Sequence, residues 1–121
     1  MNKWVLLQHT IEKTDCIESH YDFLLENGRD CLTWKIFELP QINGPLIEII
    51  KQENHRLIWL YREKYTLSNS RGHVERADYG TYKVVGEFLN EKDFSLILNG
   101  QILNGILKKK FNSCQLISEI N

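Results

Sequence analysis

Apolar and polar residues alternate with a period of two along much of this chain. Over residues 20–25, Tyr21, Phe23 and Leu25 fall on one face, and His20, Asp22 and Leu24 on the other. Residues 31–37 repeat the pattern, with Leu32, Trp34 and Ile36 on one side, and Asn27-Gly28 between the two runs signals a hairpin. Residues 4–8 form a short apolar run suited to a first strand. Residues 56–62, 81–88, 94–98, 102–109 and 115–120 read as further strands, with Asn99-Gly100 joining two of them. Residues 40–45 read as a loop, and 45–53 as a strand or, less well, a helical turn. Short strands with frequent turns predict an all-β fold, a small compact β-barrel with short connecting loops. The tetrapeptide Ile-Leu-Asn-Gly occurs at 97–100 and 102–105, which fits two turn-and-strand junctions rather than a repeat array.

Composition narrows the picture. A chain of 121 residues predicts one domain, residues 1–121. With 42% hydrophobic and 11% aromatic residues it is too rich in core formers for a disordered chain. Lys and Arg number 15 against 16 Asp and Glu, a net charge of -1, which counts against a general electrostatic DNA binder. No apolar run approaches the ~20 residues of a membrane-spanning helix, and no signal-peptide pattern opens the chain. A cytoplasmic protein with no membrane partner is the expectation. Cys16, Cys31 and Cys114 lack metal-site spacing and are expected to be reduced, mostly buried thiols.

Candidate chemistry centres on His20 and Asp22. On a strand their spacing of two puts imidazole and carboxylate on one face, a donor pair suited to a divalent cation such as manganese or zinc. His9, near the end of the first strand, is the natural third ligand if that strand lies beside His20. The alternative is a hydrogen-bonded surface pair. His55, in Glu53-Asn54-His55-Arg56, could donate to a phosphate oxygen or act as a general acid, or be an ordinary loop histidine. Arg71 and Arg76 flank Gly72 closely enough for an anion site, against the alternative of a solvated turn. Lys108-Lys109-Lys110 could touch nucleic-acid backbone or simply protect a sheet edge. No phosphate-binding glycine loop, dinucleotide fingerprint or nucleophile elbow is present.

The order of these motifs resembles the phosphoesterase domain of bacterial LigD-type DNA repair ligases, and especially its small stand-alone relatives. The resemblance covers residues 4–111. Its anchor, His20-Tyr21-Asp22-Phe23-Leu24-Leu25-Glu26, is similar to the family's His-Tyr-Asp-Phe-Arg-Leu-Glu. Thr33-Trp34, Glu53-Asn54-His55, the Asp78-Tyr79-Gly80-Thr81-Tyr82 turn and the closing hairpin from Phe94 follow in family order. The resemblance implies a β-barrel that removes a 3′-phosphate or 3′-ribonucleotide from a nucleic-acid end, with manganese as the preferred metal. By it, His9, His20 and Asp22 would hold the metal and His55 would contact the phosphate. A repair ligase would be a partner. The chain departs from the family at Leu24, where the family has a phosphate-binding arginine, and at Trp59, where it has a tyrosine. The family's N-terminal arm is expected to be missing. Arg71 or Arg76 could replace the missing arginine in space, as the stand-alone relatives share an Arg-Gly-x-Val-x-Arg-x-Asp segment. Two alternatives stand beside the enzyme: a catalytically degenerate module on the same barrel that binds nucleic acid or protein, and a structural protein without a ligand.

Overall fold

A computed structural model describes residues 2–87 and 89–119. The described residues form ten strands and one short 3-10 helix. The strands are β1 (Lys3–Glu12), β2 (Ile17–Asn27), β3 (Asp30–Ile36), β4 (Ile47–Glu48), β5 (Ile50–Arg56), β6 (Lys64–Thr66), β7 (His73–Val84), β8 (Asp93–Gly100), β9 (Asn104–Lys110) and β10 (Ser113–Ile117). The 3-10 helix, Leu57–Leu60, lies between β5 and β6. Among the described residues no helix is long and apolar enough to cross a membrane.

All pairings are antiparallel, in the order β4-β10-β9-β8-β7-β1-β2-β3-β5, with β6 added beside β7. The all-β expectation holds, but the sheet does not close into the expected β-barrel. Its two ends, β4 and β5, are consecutive in the chain with only Ile49 between them. One extended segment therefore pairs first with β10 and then with β3, and it cannot ladder with itself.

Alternation drives this arrangement. The inward face of β1, β2 and β3 carries Trp4, Leu6, Phe23, Leu25, Trp34 and Ile36, all buried in one core with residues of β8, β9 and β10. Tilted and edge-on aromatic contacts run through it from Trp4 to Phe23, Trp34 and Phe94. The opposite face of the same strands carries Val5, Leu7, Leu24 and Cys31, which form a second cluster with Val74 of β7 and Leu60 of the 3-10 helix that covers it. Asn27-Gly28 forms the expected hairpin: Asn27 pairs with Asp30, and Gly28 takes φ +74°, the conformation glycine supplies at the first turn position.

Several boundaries differ from the sequence reading. Strand 56–62 is absent: β5 ends at Arg56, and residues 57–60 turn into the 3-10 helix so that Leu60 can cover the second cluster. Strand 81–88 is the end of a longer β7 that starts at His73, so Arg76 and the expected turn at residues 78–82 lie within a strand. Phe88 and Ile120, the ends of two expected strands, lie outside the described residues. Asn99 and Gly100 finish β8, and the turn itself is 101–103. The lysine run is split by strand alternation. Lys108 and Lys110 are exposed, while Lys109 is buried with its Nζ donating to the Lys92 carbonyl at 2.6 Å. Burial pushes the Lys109 pKa down. Cys31 and Cys114 are buried and Cys16 is exposed, all free thiols.

Candidate metal centre

The β1–β2 hairpin brings the metal candidates together. His9 pairs directly with His20, and Leu7 with Asp22. The eleven-residue separation of His9 and His20 is taken up by a turn in which the Lys13 amide donates to the Cys16 carbonyl at 2.8 Å. Directly opposed residues share a sheet face, and so do residues two apart on one strand. His9, His20 and Asp22 therefore point the same way, and each offers a ligand atom within 4.8 Å of the others.

His20 Nε2 lies 3.2 Å from Asp22 Oδ1. Two ligands held ~2.0–2.2 Å from one ion are separated by about 3.0–3.5 Å, so this pair already has the spacing of neighbouring ligands. The two imidazole rings meet edge-on, with centroids 4.9 Å apart. Asp22 is 8% exposed, and its carboxylate makes no hydrogen bond to any described residue; the His20 ring is its close polar neighbour. A buried carboxylate with one imidazole partner has unused acceptor capacity, which a cation satisfies. The donor set fits a divalent ion of intermediate hardness.

His9 is oriented by the loop between β6 and β7. Its Nε2 lies 2.8 Å from the Arg71 carbonyl oxygen. A carbonyl can only accept, so Nε2 carries the proton and Nδ1 keeps the free lone pair. This is the outer hydrogen bond that metal-binding histidines commonly make. The approach needs a glycine next in the chain. Gly72 has φ +103°, and a Cβ there would run into the Thr10 carbonyl and come within 3.2 Å of His9 Nε2.

The other candidates lie elsewhere. The Arg71 guanidinium bonds Ser68, through Nε to the carbonyl and Nη2 to Oγ, both at 3.1 Å. Arg76 pairs with Glu63 at 3.1 Å and stacks on Tyr79. Neither guanidinium hydrogen-bonds Asp22 or His55. Arg71 reaches the centre through its main chain, a role no side-chain motif could reveal. His55 is half-buried, with Nδ1 3.1 Å from the Glu53 carbonyl, and pairs across β3 with Cys31. Cys31 in turn faces Glu26, four residues beyond Asp22 on β2. That places His55 roughly 16 Å from Asp22 by strand spacing. It lines a separate cavity with Arg29, Asp30, Asn54 and Arg56. Leu24, fully buried in the second apolar cluster, lies on the face between them. Compared with known proteins, the chain matches no family model and no curated protein.

Proposed function

We propose that the protein is a metal-dependent phosphoesterase acting on nucleic-acid 3′ ends or a related small phosphate, with His9, His20 and Asp22 holding the metal. The reading rests on the motif order and on one structural observation: three donors on adjacent strands, with His20 and Asp22 already 3.2 Å apart. Manganese is the favoured ion and zinc the alternative. A bound divalent ion would supply Lewis-acid polarisation of a phosphoryl oxygen and a more acidic water. The chain's own contribution is positioning. Asp22 supplies the negative charge of the site, the Arg71 carbonyl fixes the His9 tautomer, and Leu7 and Leu24, buried beside Asp22 on the same face, keep that side dry, which strengthens charge interactions there. His55 stands apart and would contact a phosphate group bound in its own cavity, beside Arg29 and Arg56.

A second reading, a catalytically degenerate binding module, is favoured by Leu24. Where the resemblance implies a guanidinium, a fully buried apolar side chain lies. The test is a manganese titration by electron paramagnetic resonance, run beside hydrolysis of a 3′-phosphate primer-template. Wild type should bind manganese and release phosphate, and His20→Ala or Asp22→Ala should lower both by about 100-fold or more. Manganese binding without turnover selects the degenerate module. Activity that survives in both variants rules out this site.

A further inference from the structure

The sheet face that carries His9 also holds three cations packed on aromatic rings. Lys3 Nζ lies 4.7 Å from the Tyr61 ring centroid and Arg76 Cζ 4.0 Å from that of Tyr79. Arg62 Cζ lies between two rings, 4.1 Å from Tyr65 and 4.6 Å from Trp59. The first two cations have polar partners: Lys3 the Tyr61 hydroxyl, and Arg76 the Glu63 carboxylate. Arg62 makes no hydrogen bond or ion pair to any described residue, so its fork of donors is unspent.

Register locates this group. Tyr65 is opposite Val74, Val74 opposite His9, and His9 opposite His20. Directly opposed residues share a face, so Tyr65 points to the same side as the His9–His20–Asp22 trio. Two strand spacings, about 10 Å, separate it from His9. Trp59 and Tyr65 meet edge-on at 5.4 Å and 81°, forming the corner that holds the guanidinium.

We propose that Arg62 is a phosphate-binding residue, holding the backbone of a single-stranded nucleic acid whose end reaches the His9–His20–Asp22 centre. This rests on the phosphoesterase reading and names how that site takes its substrate. A guanidinium presents five donors in a plane that matches a phosphate, and packing between two rings removes rotamer freedom that binding would otherwise cost. Tyr61, Tyr65 and Tyr79 are exposed, each beside a cation, and such aromatic faces suit stacked bases rather than an acidic peptide. In a chain of net charge -1, one locked arginine gives the local attraction that overall charge does not.

Fluorescence anisotropy with a labelled oligothymidylate of about ten nucleotides tests this, on wild type, Arg62→Gln, Arg62→Lys and Lys110→Gln. Arg62→Gln should weaken binding about 10-fold and shrink the slope of log affinity against log salt by about 0.7. Arg62→Lys should keep the slope and lose part of the affinity, and it serves alone should the glutamine variant misfold by circular dichroism. Lys110→Gln removes the same charge at the far end of β9 and should change little. Binding by Arg62→Gln equal to wild type, an equal loss in Lys110→Gln, or no detectable binding by wild type would each overturn the proposal. Manganese titration of the same samples judges the metal reading separately. Arg62→Gln should bind the ion as wild type does, and an absence of manganese binding beside Arg62-dependent strand binding rejects the metal reading while supporting the role of Arg62.

Discussion

His9 shows how much a single main-chain contact decides. Its Nε2 proton goes to the Arg71 carbonyl at 2.8 Å, which leaves Nδ1 as the nitrogen able to bind a cation. That contact depends on Gly72, whose positive φ and close approach to Thr10 exclude a side chain. Gly72→Ala should cost about 1–3 kcal/mol of stability and weaken manganese affinity by about 10-fold or more. Urea unfolding and a manganese titration read the two effects. Unchanged manganese affinity in a folded Gly72→Ala protein would show that the carbonyl does not orient His9.

Among the elements, β7 does most to organise the molecule. Its register against β1 shifts between Leu6 and Leu7, which face Asp78 and Arg76 and leave Ala77 unpaired. This bulge switches the faces of β7, so Arg76 lies on the outer face with Leu7 while Asp78 turns inward. Asp78 is 3% exposed and accepts from the backbone amides of Tyr79, Gln101, Ile102 and Leu103, the shortest at 2.7 Å. One carboxylate thereby ties the β8–β9 turn to β7. Asp78→Ala leaves those buried amides without an acceptor and should cost roughly 3–5 kcal/mol. The expected readout is a lower urea midpoint and faster amide exchange at residues 101–103. A loss under about 1 kcal/mol would mean that water replaces the carboxylate.

At the scale of the whole molecule, one curled sheet carries a core on each face, and a buried thiol sits in each. Cys31 lies in the outer cluster and Cys114 in the inner core, and burial pushes each thiol up from 9.0 to about 12. The folded protein thus keeps these protons at a pH where the unfolded chain has lost them. Stability from this source is complete below about pH 9 and falls as pH rises from there toward the folded values. Urea midpoints measured from about pH 8 upward should decline, and removing both thiols with Cys31→Ala and Cys114→Ala should flatten the decline. A midpoint that stays level past about pH 10 would contradict it. Cys16, exposed, should be the thiol that reacts with a labelling reagent in the folded state.

The sequence by itself determined the all-β class, the faces of β2 and β3, the glycine turn between them, and the pairing of His20 with Asp22. Each follows from local rules: a period of two assigns faces, and positive φ assigns glycine. Residues 73–80 are not legible as a strand, because the bulge at Ala77 breaks the alternation that marks one. Residues 57–60 look like strand, since apolar runs are alike in strands and short helices, and only the cluster around Leu24 decides between them. Tertiary structure alone decided that His9 faces His20, that a carbonyl selects its tautomer, and that Arg62 lies unpaired on the same face. The first depends on the register of the β1–β2 hairpin, and the others on the packing of the segment around β6 and β7 against β1, far away in the chain. Register is set by the packing of both sheet faces together, which no local pattern encodes.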